Sequence, residues 1–470
     1  MVFYSSDMVR SLRRGCLSVL AIAAALALPA QSQTLEEAFA TAYATNPTLI
    51  AARAGVRAVD EDVPLARSGM LPNVAATATV GVEDTSINGA PSGSTQEPRS
   101  VALSATQVLY DGGQTQNSID GAVAGVDAAR AQLTDTEQSI LLQVVTAYSN
   151  VLRDQEFVML GENNVRVIAE QLRAAEDRFV VGEVTRTDVS QAQAALAESE
   201  ASLAVQVGAL ARSFQTYGSV VGAPPGTLAP LPPLPELPPT LADAVQEAMD
   251  NNPAINAARY AEEQSRSDIA VAQGALLPTV TLSGSVSYGE DQSAALSNGI
   301  TSAQVQLQAS IPLYQGGAAY SNVRRAQAIQ SQAMTQIHES TRAIRLQVEN
   351  AWTDIETARI AIRAGRQQVA AAQVAFEGVR EEAKLGARTT LDVLDAEQDL
   401  LTARSNVVAS LRDEYVAAFA LMSALGRLTV NGLGVNVEPY DPNANYEINN
   451  ARRFGFERDE LTKWKTKIAP

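Results

Sequence analysis

The sequence predicts a mainly α chain that also carries membrane β-strands, organised as two tandem structural repeats, each a β-hairpin plus a long α-helical hairpin. Three observations predict it. Segments recur at a fixed spacing: Thr34-Leu35, Asn46-Pro47, Ala51-Ala52-Arg53 and Leu71-Pro72 return 206 residues later as Thr240-Leu241, Asn252-Pro253, Ala257-Ala258-Arg259 and Leu277-Pro278. At an offset of 204, Leu109-Tyr110-Asp111-Gly112-Gly113 becomes Leu313-Tyr314-Gln315-Gly316-Gly317, and 182–189 becomes 386–393. Short stretches alternate with period two, and stretches of about seventy residues without proline keep a helical period.

The chain opens with Arg10, Arg13 and Arg14, followed by an apolar run from Leu17 to Ala30. A basic start, a run shorter than the ~20 residues of a membrane helix, and a small-residue end predict a secretory signal peptide over 1–33. Cleavage is expected near Ala30 or Ser32. Cys16 is the single cysteine and precedes the apolar run, whereas a lipid acceptor would follow it, so the mature chain is expected to hold no thiol. The net charge of −17 argues against nucleic acid as a partner. With His338 the only histidine, hydrolytic triads and paired-histidine metal sites have no material, so neither enzyme chemistry nor a cofactor is expected.

Repeat 1 is read as 34–223, with a helical start over Thr34 to Thr45 and Pro47 to about Gly69. Strands follow over about 73–84 and 99–110, then helices over about 114–181 and 187–220. Repeat 2 is read as 240–428, with strands over about 279–290 and 301–314 and helices over about 318–385 and 390–425. The alternation is clearest at Val280, Leu282, Gly284, Val286 and Tyr288 against Thr279, Thr281, Ser283, Ser285 and Ser287. Strands of about ten residues, apolar on one face and small or amide-bearing on the other, match a transmembrane barrel, although half of a soluble sandwich would share the pattern. The loops between paired strands, 84–99 and 290–299, are rich in hairpin-tip residues.

Each long stretch would make a helix of roughly 100 Å. Val144, Val151, Val158, Val165 and Leu172 fall every seven residues, and 204 residues on lie Val348, Ile355, Ile362, Val369 and Phe376. Small residues three positions further along (Ala147, Gly161, Ala175; Ala351, Ala358, Gly365, Ala372) let neighbouring helices approach, and the strict heptad implies left-handed supercoiling. The returning helices are about half as long, so the Pro47 and Pro253 helices are expected to stack end to end with them. Eight of the twenty prolines lie in 224–239, read as a stiff, extended Pro-rich linker outside the core. The polar C-terminal tail, 429–470, is expected to be peripheral.

Four amphipathic strands cannot close a membrane barrel, because an open edge in hydrocarbon leaves backbone groups unpaired at several kcal/mol each. Partner strands must come from other subunits. A dimer would supply eight strands and a trimer twelve; the small polar inward residues Ser283, Ser285 and Gln306 favour the wider, wet trimer.

The Leu313-Tyr314-Gln315-Gly316-Gly317 junction and the run Gly386-Ala387-Arg388-Thr389-Thr390-Leu391-Asp392-Val393-Leu394-Asp395-Ala396 resemble TolC-type outer-membrane efflux and secretion channels, and the likeness spans Thr34 to about Gly426. The resemblance implies a homotrimer with a twelve-stranded barrel in outer-membrane lipid and a periplasmic helical tunnel closed at its far end. It also implies recruitment by an inner-membrane pump through a periplasmic adaptor. A periplasmic adaptor or a structural coiled-coil protein of the envelope is the competing reading, and neither needs four lipid-patterned strands.

By the same resemblance Asp392 and Asp395 ring the periplasmic entrance as a gate. Three residues apart at a helix start, they share one face. Helix capping could account for the first acid, but repeat 1 keeps Asp188 opposite Asp392 and has Gln191 opposite Asp395, and a cap requires no second acid. Six carboxylates around one axis would favour cations and could be blocked by multivalent ones. Arg388 is matched to a residue that ties the inner coiled coil to the outer one, with Thr187 and Asp188 as its partners in a closed-state lock. A tyrosine expected to join this lock is replaced by Ala383.

Overall fold

The computed structural model describes residues 32–85, 94–290 and 299–451. The expected signal peptide lies outside them except for its last two residues, as do the middles of both strand-connecting loops and the end of the tail. The chain begins with α1 (Leu35–Thr45), α2 (Pro47–Asp60) and α3 (Asp62–Ser68). It continues through β1 (Asn73–Val80), β2 (Glu83–Thr85), β3 (Ser94–Gln96) and β4 (Arg99–Tyr110) into α4 (Gln114–Val180) and α5 (Arg186–Val221). The order then recurs: α6 (Leu241–Asn251), α7 (Pro253–Gly274), β5 (Thr279–Glu290), β6 (Ile300–Ser310), α8 (Ala318–Lys384) and α9 (Thr390–Ala424), with α10 (Ala444–Ala451) beyond.

The two long helices, α4 and α8, each run 67 residues, about 100 Å at 1.5 Å per residue. Each turns back into a helix of about half that length, and the recurring Asn-Pro pair supplies what is missing. Asn46 Nδ2 donates to the carbonyl of Val220 at the end of α5 (3.0 Å), while its Oδ1 accepts from the Thr48 amide of α2 (2.9 Å). Asn252 does the same between Ala424 of α9 (2.9 Å) and Ala254 of α7 (2.9 Å). A proline at the first helical position sacrifices no hydrogen bond there. One asparagine thus satisfies an orphan carbonyl of one helix and an orphan amide of the next, splicing them end to end.

Around the bundle, α4 packs against α5, α7 and α9, and α8 packs against α7 and α9. The order is therefore α5, α4, the α7/α9 pair, then α8. The outermost helices keep unpartnered apolar side chains: Ile329, Met334, Leu346 and Ile360 on α8, and Val205 and Val207 on α5, are all exposed. No described helix is long and apolar enough to cross a membrane.

The four main strands form one antiparallel sheet in the order β1-β4-β5-β6. Its register sorts the side chains into rows. Ala76, Leu103, Val286 and Ala303 stand side by side, as do Val74, Ala105, Gly284 and Val305, all on one face. The opposite face carries Asn73, Thr106, Ser283 and Gln306, and Ala75, Ser104, Ser285 and Gln304. The apolar face is bare, with Val74, Leu103, Val286 and Val305 more than half exposed. Among the described residues both sheet edges, β1 and β6, lack a partner strand.

The structure corrects the sequence reading in five places. The first strand, expected over about 73–84, ends at Val80, and Glu83–Thr85 pairs instead with Ser94–Gln96 in a separate two-stranded sheet. The helix expected from Pro47 to Gly69 breaks at Glu61, because Pro64 has no amide to give the carbonyl of Asp60. β6 stops at Ser310 instead of 314, two residues before Pro312. The linker is extended, as expected, but lies against the core: Leu228 is buried and Leu231, Leu234 and Leu237 pack beside it. Their spacing of three is the repeat of a polyproline helix, which presents one side every third residue. Finally, the start of the tail is not peripheral. Val430 and Val435 are buried with Phe39, Tyr43 and Tyr148, and the Val430 amide donates to Glu137 (2.8 Å).

Candidate functional site: the helical mouth

At the end of the bundle away from the sheet, α4 turns into α5 and α8 turns into α9 by the same device. Gly182 and Gly386 adopt left-handed conformations (φ 81° and 76°) that only glycine takes without strain. The Glu183 amide then reaches the Arg178 carbonyl (2.9 Å) and the Ala387 amide that of Glu382 (2.9 Å), closing both helices in Schellman fashion.

The returning helices start on capping boxes. Thr185 accepts from the Asp188 amide (3.3 Å), and Asp188 Oδ2 accepts from the Thr185 amide (2.8 Å) and hydroxyl (2.7 Å). Thr389 and Asp392 repeat this at 3.2, 2.9 and 2.9 Å. These bonds from Thr185 and Thr389 hold both carboxyls below the ordinary aspartate range, with a smaller contribution at Asp392 from the Arg388 charge. Asp392 therefore serves as a cap within its own chain. Asp395 lies one turn further along, exposed and outside the box.

The two turns come together around a cavity of about 470 Å³, lined by Arg178, Glu183 and Asp188 from the first and by Ala383, Lys384 and Arg388 from the second. Arg388 and Asp188 thus face one space. Arg388 Nε is engaged by Glu382 of its own turn (2.9 Å), and Thr187 is exposed and outside the cavity lining. Ala383, where the resemblance led to the expectation of a tyrosine, is buried beside Phe376, Val393 and Leu400, with Val167 of α4 packed against them. Among the described residues no cluster of metal-ligating side chains is found.

Sequence reasoning missed two acids here. Glu382 sits six residues before Arg388 and signals nothing by pattern. Glu397, almost fully buried, lies three residues after the buried Leu394, at a position where the other repeat has the exposed Gln193.

The model of the outer membrane efflux protein family matches residues 38–222 and again 244–427. The outer membrane efflux protein BepC of Brucella suis is 35% identical over 426 residues, covering 91% of this chain and 92% of BepC. The outer membrane protein TolC of Vibrio cholerae is 27% identical over 85% of this chain and 92% of its own length. In structure, the Campylobacter jejuni CmeC outer membrane channel superposes with a TM-score of 0.75 at 16% identity, covering 91% of this chain and 90% of CmeC. Two family matches along one chain, over a sheet bare on one face and a spliced helical bundle, place this protein in the outer membrane efflux protein family, whose members are outer-membrane channels and not enzymes.

Proposed function

We propose that this chain is the exit duct of a tripartite export system. Three copies close a twelve-stranded barrel in the outer membrane and continue it as a helical tunnel into the periplasm, where an adaptor and an inner-membrane pump engage the mouth. The observation that carries this reading is the four-stranded sheet, apolar and bare on one face and unpaired at both edges, joined to helices of about 100 Å. In hydrocarbon those edges must be paired, and each copy has one of each kind to offer the next.

The internal duplication supplies the register of that pairing. β4 and β5 join the two repeats within one chain, with Leu103 opposite Val286. Carrying β4 onto β6 by 204 residues and β5 onto β1 by 206 places Leu307 opposite Val80 of the partner subunit. The bare faces of α8 and α5 meet in the same step, as α4 already meets α9. With the only cysteine in the leader, the pair Leu307→Cys/Val80→Cys is expected to give disulfide-linked trimers in oxidised membranes, and the off-register pair Leu307→Cys/Ala76→Cys is not. Monomers from both pairs would defeat the trimeric duct.

At the mouth, Asp392 and Asp395 form the acidic gate, and Arg388 leaves Glu382 in the closed state to meet Thr187 and Asp188, tying the inner coiled coil to the outer one. Asp392→Ala/Asp395→Ala trimers are expected to lose cation selectivity and multivalent block in planar bilayers, and Arg388→Ser trimers to show a higher resting conductance. Unchanged records would remove these roles.

A further inference from the structure

Five residues beyond Asp392, the side chain of Glu397 is 5% exposed, and its Oε2 is buried without a hydrogen-bond partner. It sits where the inner hairpin, α8 and α9, packs on α4 of the outer one. The charged groups facing it are Arg404 on its own helix, Arg380 on α8 and Arg166 on α4. None of them is committed to it. Arg404 donates to Gln373 (2.7 Å), Arg166 to Glu170 (3.0 Å), and Arg380 stacks over Phe376 with its own Nε buried without a hydrogen bond and 3.9 Å from Glu381. Repeat 1 has nothing comparable: at the positions of Glu397, Arg380 and Arg404 stand Gln193, Glu176 and Glu200.

A carboxylate in such a place loses its hydration without gaining a matched partner, so the packed arrangement tolerates the neutral acid better than the anion. We propose that Glu397 is a proton-operated closing element of the mouth: neutral, it lets the inner hairpin settle against the outer one, and ionised, it works against that contact. The proposal rests on the channel reading above and adds to it a control that the acidic ring does not supply. It also bears on Ala383, because a mouth without the tyrosine link needs another source of closure.

The direction follows from linkage. Burial pushes the Glu397 carboxyl up from its ordinary value, against the pull of the three arginines. A group raised in the packed state stabilises that state fully below its solvent-exposed value, and the stabilisation is lost as pH rises through the raised one. Acidification should therefore close the mouth, and neutral pH should loosen it.

Resting conductance of the full-length trimer in planar bilayers, stepped from neutral pH to about pH 5, tests this. To remove titration of the ring, parent and variants carry Asp392→Asn/Asp395→Asn. In that background the conductance is expected to fall several-fold on acidification. Glu397→Gln should hold the low, acid-like conductance at every pH. Arg166→Gln, which removes one attraction and raises the carboxyl further, should move the transition to higher pH. A Glu397→Gln channel more open than its parent at neutral pH would overturn the proposal, because Glu397 would then be a counter-ion that holds the mouth shut. An unchanged pH profile in Glu397→Gln would overturn it too. If the unsubstituted protein forms no channel at all, the exit-duct reading fails instead.

Discussion

The two hairpins share one frame and bury different chemistry. In the first, midway along α4, Asp154 is almost fully buried and satisfied: Ser213 of α5 donates to Oδ2 and Arg153 pairs with Oδ1 at 2.7 Å. At the corresponding places the second hairpin has Ala358 and Ala417, both buried. Near the mouth the situation reverses. There the second hairpin buries Glu397 with an unpartnered oxygen, and the first exposes Gln193. A buried charge that is fully paired fixes one packing, whereas one left partly unpaired destabilises the packing it sits in and can respond to protons. The comparison separates a structural polar contact from a candidate switch within the same backbone.

Breaking the paired site should produce the largest effect. Ser213→Ala leaves Asp154 Oδ2 without its partner in the interior and is expected to cost about 1–3 kcal/mol. Adding Asp154→Ala copies the alanines of the second hairpin and should recover most of that loss. Thermal unfolding of the single and double variants in detergent reads the difference, and a double variant no better than the single would show that the two hairpins are not interchangeable at this level.

The splices should sharpen the comparison by being equal. Asn46→Ala and Asn252→Ala each remove a helix cap and a bond to the preceding helix, at a cost of about 1 kcal/mol apiece. Unequal losses would mean that the linker and the tail, which pack near these joints, carry one repeat more than the other. The smallest effect is expected at the capping boxes. The Asp188 and Asp392 carboxyls lie below the ordinary range, so their contribution is present above the ordinary aspartate value and is lost as pH falls through the lowered one. Thr185→Ala and Thr389→Ala should each flatten that acid dependence, read as carboxyl titration by NMR of selectively labelled protein.

At the mouth, the sequence carried the local chemistry further than the contacts. Glycine at 182 and 386 and threonine three residues before an acid are short-range signals, and both turns form as they dictate. The partner of Arg388 was not legible, because a long flexible side chain chooses among neighbours brought close only by folding, and within one chain the nearest is Glu382. Glu397 escaped for a similar reason, since on a helical wheel it reads as another solvated acid until α4 covers it.

The sequence by itself determined the period of the long helices and of the four main strands, the duplicated order, the splice points and the two-faced strands, because these depend on alternation, heptads, caps and prolines within a few residues of one another. It also carried the family likeness, in one strand-to-helix junction and one turn. Only the tertiary structure decided that the linker leucines and Val430 belong to the core, that Pro64 divides one helix in two, and that Glu397 is enclosed. Burial is a property of what arrives from elsewhere in the chain, and no local pattern records which surface a distant helix will cover.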